Sequence, residues 1–93
     1  VACFGHAGDG NIHVNLMVEN PDDPATKERM ERALDALFQG VLAMGGSITG
    51  EHGVGLAKKR WWKQAVEAGA DDLHRRIKRA LDPDDLLNPG KFL

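Results

Sequence analysis

A chain of 93 residues, 42% hydrophobic and 28% charged, has room for one small core and the composition of a globular domain, which excludes a disordered tail or a fibrous repeat. Twelve Lys and Arg against fourteen Asp and Glu leave a formal charge of −2, and that balance excludes a general nucleic-acid binder. The lone Cys3 forms no internal disulfide, and no window reaches the roughly 18 apolar residues of a spanning helix, so a reducing cytoplasmic setting is expected, at most peripheral to a membrane through partner subunits.

The opening Val1-Ala2-Cys3-Phe4 has neither an initiator Met nor a leader pattern and reads as a strand already under way, as expected of a fragment or excised domain. From Val1 to Val18 the pattern predicts two short strands around the turn Gly8-Asp9-Gly10, because Asp-Gly favours positive φ. Along Asn11–Val18 the alternation is strict. Asn11, His13 and Asn15 fall on one face, and Ile12, Val14, Leu16 and Val18 fall on the face expected to be core. A row of Asn, His and Asn is either a ligand-binding face or a merely solvated one.

Asp23 is placed as an N-cap with Pro24 at the first helical position. Met30, Leu34, Leu37, Phe38, Val41 and Leu42 then follow helical spacing as a core-packing stripe, and Gly45-Gly46 stops the helix. Ser47-Ile48-Thr49 reads as a short strand leading into a tight exposed turn, Gly50-Glu51-His52-Gly53-Val54-Gly55. A second helix is expected from about Ala57 to Ala68, stopped by Gly69. A third, capped by Asp71 and ended by Pro83, turns Leu73, Ile77, Ala80 and Leu81 inward. Residues 58–79 hold eight basic and three acidic side chains, a local charge of +5 that reads as solvated helix surface or as an attraction for an acidic partner, an anionic substrate or a membrane. His74, among the arginines, reads as surface.

The chemistry concentrates in His6, His13 and Glu51, two imidazoles and a carboxylate suited to Zn²⁺, Mn²⁺ or Fe²⁺ with positions left open for water or substrate. Spacing alone leaves this set undecided unless the glycine turn brings both rings to one side. His52 follows Glu51 directly. Neighbours in an extended turn point apart, so Glu51 is read as a ligand and His52 as a proton acceptor, against the alternative of a plain glycine-rich loop. Neither the dinucleotide fingerprint nor the P-loop is present.

Gly5-His6-Ala7-Gly8-Asp9-Gly10-Asn11-Ile12-His13, then Gly46 through Gly55, then Asp82-Pro83 through Asn88-Pro89-Gly90-Lys91 resemble the C-terminal region of FAD-linked oxidases, the family of glycolate oxidase D subunits, cytochrome-type D-lactate dehydrogenases and D-2-hydroxyglutarate dehydrogenases. The resemblance implies an α+β domain, an antiparallel sheet with helices on one face, forming the last part of a substrate domain whose FAD-binding domain lies upstream. It implies FAD as cofactor, a divalent metal such as Zn or Mn on His6, His13 and Glu51, and His52 as base and substrate ligand. It further implies Asn15 as a substrate contact and Asn11, Asn88 and Lys91 as cofactor contacts. The implied reaction removes the hydroxyl proton of a small 2-hydroxy acid while hydride passes from Cα to the flavin. Electrons would then go to a quinone, a cytochrome or an electron-transfer protein, and the 93 residues alone are expected to be inactive. Two rivals stand beside this reading. One is a metal-dependent hydrolase using the same donors, and the other a non-catalytic ligand-binding or oligomerisation module, with a homo-oligomer as the expected state.

Overall fold

The computed structural model describes residues 1–93. Where length pointed to one core, the chain divides into two compact units, Val1–Gly40 and Val41–Leu93.

The first unit opens with the predicted hairpin. Strand β1 (Ala2–His6) pairs antiparallel with β2 (Asn11–Asn15), with Phe4 opposite His13, Gly5 opposite Ile12 and His6 opposite Asn11. A single 3₁₀ turn, Ala7–Asp9, joins them, and Gly10 closes it at φ 66° with its N–H donating to the Ala7 carbonyl. β2 stops at Asn15, short of the expected Val18, because Asn15 is already opposite Ala2 and only Val1 remains beyond it. The expected core face of this strand is not buried: Ile12 is 68% exposed, Val18 is exposed and Val14 is half-buried. A two-stranded ribbon has no second layer of its own to cover that face.

Helix α1 (Pro24–Ala43) begins and ends as its caps dictate. The Asp23 carboxylate accepts the Thr26 N–H at 2.8 Å, and its hydrogen bonds from Thr26 hold that carboxyl below its ordinary pKa. At the other end Gly45 adopts φ 77°, its N–H donates to Leu42 O, and Gly46 N–H donates to Val41 O at 2.9 Å, the paired bonds of a Schellman stop. Met30, Leu34, Leu37, Phe38, Val41 and Leu42 are all half-buried, so the helical stripe is the packed one.

In the second unit Ile48, Val54 and Trp61 are the buried apolar residues. Ser47–Thr49 is not a strand. The Ser47 hydroxyl accepts the Thr49 N–H and donates to the Thr49 carbonyl, a local side-chain turn that competes with extended pairing. Helix α2 is shorter than expected (Lys59–Ala65), and α3 starts earlier (Ala68–Leu81), so Gly69 lies inside a helix rather than ending one. Asp71 is in the first turn and does not cap. Its carboxylate instead accepts Trp62 Nε1–H at 3.0 Å and Arg75 Nε–H at 2.7 Å.

α3 is also inverted relative to expectation. Leu73, Ile77 and Leu81 are more than half exposed, while Asp71, His74, Arg75 and Lys78 form the half-buried face and Asp82 just beyond is buried. The groups this face meets need polar partners: an indole N–H, and the backbone of the C-terminal segment. His74, expected at the surface, is half-buried. Its Nδ1 is bonded to Ala70 O at 2.7 Å, and its ring meets Trp62 and Phe92 edge to face at centroid distances of 5.2 and 5.3 Å. Three helices and an antiparallel strand pair give the expected α+β class. No helix is long and apolar enough to cross a membrane.

Candidate functional site

In an antiparallel pair, residues opposite each other project to the same side. The register therefore places Phe4, His6, Asn11, His13 and Asn15 on one face of the hairpin. The turn does bring both imidazoles to one side, as diagonal neighbours across the strand pair. His13 stacks on Phe4 with centroids 4.8 Å apart, and its Nε2 bonds Asn15 Oδ1 at 2.9 Å. With Nε2 donating, the lone pair of a neutral ring sits on Nδ1, and a histidine whose second nitrogen is held by an oxygen is the usual form of a metal ligand. Asn15, expected to meet substrate, lies on the same face with its Oδ1 on His13. Gly5 makes the face possible: a Cβ there would lie 2.0 Å from the Asn11 carbonyl oxygen.

The Glu51–His52 turn is an exposed tip between two buried anchors, Ile48 and Val54. The Thr49 hydroxyl closes its base by donating to Gly53 O at 3.0 Å, and Gly53 and Gly55 take φ 77° and 55°. The expectation that the two side chains point apart is not met. Glu51 Oε1 lies 3.6 Å from His52 Nε2.

The third motif is a tightly bonded C-terminal segment. The Asp82 carboxylate accepts the N–H groups of Leu86 and Leu87, each at 2.9 Å, and the Lys78 ammonium. Lys78 also meets Asp85 at 3.0 Å and donates to Leu87 O at 2.7 Å. The Lys78 contact, reinforced by those backbone donors and opposed by desolvation, lowers the Asp82 pKa, and the same contact raises that of Lys78. Asn88 sits at φ 52° and its carbonyl accepts Lys91 N–H at 3.2 Å, so Asn88 and Lys91 bracket one turn. Phe92 N–H then donates to Gly55 O at 3.1 Å. That bond ties the Asn88–Lys91 turn to the end of the Glu51–His52 loop.

Much of the basic run is internally matched: Arg75 with Asp71, Arg76 with Asp72, Lys78 with Asp82, and Arg60 over the Trp61 ring at 4.1 Å. Of these pairs only Lys78 with Asp82, whose carboxylate lies outside residues 58–79, offsets the local excess of charge. Lys59 was not singled out from the sequence, since it lies within this run and nothing in its spacing marks it. A surface pocket of about 460 Å³ lined by Met17, Val18, Glu19, Asn20, Asp23, Thr26 and Arg29 holds none of the candidate residues. As a test of fit for a divalent ion, His6 and His13 share a face, with His13 held by an oxygen, while no group of three or more His, Cys, Asp or Glu side chains stands together as a ligand set. The hairpin offers a partial donor set.

The family model for the C-terminal domain of FAD linked oxidases matches residues 1–92. The chain is 40% identical over 99% of its length to glycolate oxidase subunit GlcD of Bacillus subtilis, and 42% identical over 96% to a probable mitochondrial D-lactate dehydrogenase of Danio rerio. It is 40% identical over 99% to the D-2-hydroxyglutarate dehydrogenase of Xanthomonas citri. It spans 19%, 18% and 20% of those proteins, about a fifth of each. No solved structure matches. With its three motifs in order along almost all of its length, the chain belongs to the family of C-terminal domains of FAD-linked oxidases.

Proposed function

We propose that this chain is the C-terminal part of the substrate domain of an FAD-dependent dehydrogenase of small 2-hydroxy acids, and that His52 is its general base. The observation that carries the reading is the bond from Phe92 N–H to Gly55 O, which joins the loop bearing His52 to the turn bearing Asn88 and Lys91. A proton acceptor and two cofactor-contacting residues belong side by side in a reaction where a proton and a hydride leave neighbouring atoms of one substrate. The family match favours this over a metal-dependent hydrolase.

When bound, FAD supplies the hydride acceptor. His52 takes the hydroxyl proton, with Glu51 Oε1 3.6 Å from its Nε2. His6 and His13, which share one face of the hairpin, are the donors the first unit would offer an ion. Asn15 holds the His13 ring through the 2.9 Å bond, and the Asn88–Lys91 turn is the cofactor contact proposed within the second unit.

The test is His52→Gln in the full-length protein, assayed with glycolate, D-lactate and D-2-hydroxyglutarate and an artificial electron acceptor. General-base catalysis contributes about 10²–10⁴-fold, so kcat falls by at least about 10² while bound flavin is retained. Unchanged kcat in the variant, or a wild-type protein without flavin, refutes the reading.

A further inference from the structure

We infer that Lys59 is a positioning residue for the Asn88–Lys91 turn, an inference that rests on the flavin-linked reading above. Its Nζ donates to Gly90 O at 2.8 Å and to Leu93 O at 3.1 Å, across 31 and 34 residues of sequence. Those two carbonyls lie on either side of Lys91. The segment they belong to is one that a chain does not hold by itself: Asp85, Asn88 and Phe92 are non-glycine residues at φ 52°, 52° and 72°. Such conformations persist only where the surroundings over-determine them.

The surroundings here are two ammonium groups and one amide. Lys78 holds Leu87 O just before the turn at 2.7 Å, Lys59 holds Gly90 O within it and Leu93 O after it, and Phe92 N–H is fixed on Gly55 O at 3.1 Å. Lys59 is also the first residue of α2, four positions past Gly55. One side chain therefore spans from the helix that follows the His52 loop to the turn proposed to contact the cofactor. Lysine suits this role because its ammonium has three donors and accepts carbonyls from several directions. Lys59 touches neither substrate nor cofactor in this scheme. It fixes where Asn88 and Lys91 stand relative to His52.

The experiment uses the full-length protein with Lys59→Met, Lys59→Arg and, as a charge control on the same helix, Lys63→Met. Hydrogen exchange of the peptide spanning residues 86–93 and the flavin dissociation constant are measured for each. In Lys59→Met the amides of Lys91 and Phe92 exchange at least tenfold faster, and flavin affinity falls at least tenfold. Lys59→Arg recovers most of both, and Lys63→Met matches wild type. Wild-type exchange of those amides in Lys59→Met overturns the inference, as does faster exchange with unchanged flavin affinity. General unfolding, seen as faster exchange throughout residues 41–93, also overturns it, because Lys59 would then be a stability residue. Failure of the underlying reading is seen elsewhere, in a wild-type protein that binds no flavin, and it removes this inference as well.

Discussion

Gly5 is the residue whose replacement separates a designed hairpin face from an incidental one. An alanine Cβ at this position meets the Asn11 carbonyl oxygen at 2.0 Å and the Asn11 carbonyl carbon and Ile12 Cα at 2.9 Å. All three are backbone atoms, so no rotamer relieves the contact. Ordinary van der Waals separation requires the strands to part by more than about 1 Å, against an inter-strand spacing of roughly 4.8 Å. The ladder bonds beside the Gly5–Ile12 pair cannot survive that displacement. Losing about two of them costs roughly 1–3 kcal/mol, and overpacking strain adds about 1–3 kcal/mol. A two-stranded ribbon is marginal to begin with, so Gly5→Ala melts the hairpin and disperses His6 and His13. Gly8→Ala is the control, because a Cβ there meets nothing within 4 Å and its φ is not positive. Amide exchange by NMR reads the outcome: residues 2–6 and 11–15 lose protection in Gly5→Ala and keep it in Gly8→Ala. Wild-type protection in Gly5→Ala would show that the strands have slack, and the assignment of Gly5 to close approach would be wrong.

Trp61, 4% exposed and a large part of a small core, is expected to lose about 3–5 kcal/mol on Trp61→Ala, enough to abolish cooperative unfolding of residues 41–93 in urea as followed by Trp62 fluorescence. The C-terminal segment carries its own pH signature. Asp82 has a lowered pKa in the folded chain, so its contribution is complete above the ordinary carboxylate value near 3.9 and is lost as pH falls through the lower folded value. Lys78 has a raised pKa, so its contribution is complete below about 10.4 and is lost as pH rises through the higher folded value. Urea midpoints measured across pH therefore drop below about pH 4 and again above about pH 10.4, and Asp82→Asn, which removes the carboxylate, weakens both limbs; a variant with wild-type limbs would refute the pairing.

Local rules made much of the chain legible. Asp23-Pro24 and Gly45-Gly46 bound α1 because caps act within one turn of backbone, and Asp-Gly closed the hairpin because its φ preference is intrinsic. The alternation along Asn11–Asn15 sorted His13 and Asn15 to one face before any partner strand was known. The three motifs likewise marked the family. What the sequence could not decide was which face of α3 is packed. Its apolar spacing pointed Leu73, Ile77 and Leu81 inward, yet the indole N–H of Trp62 and the backbone of the C-terminal segment select the polar face, because buried donors and acceptors must find partners whereas a leucine can remain exposed. The same holds for the site. Residue type nominated His52 and the family resemblance Asn88 and Lys91, but the bonds from Lys59 to Gly90 and Leu93 and from Phe92 to Gly55 span more than thirty residues, and only the tertiary structure brings such distant donors and carbonyls within reach of each other.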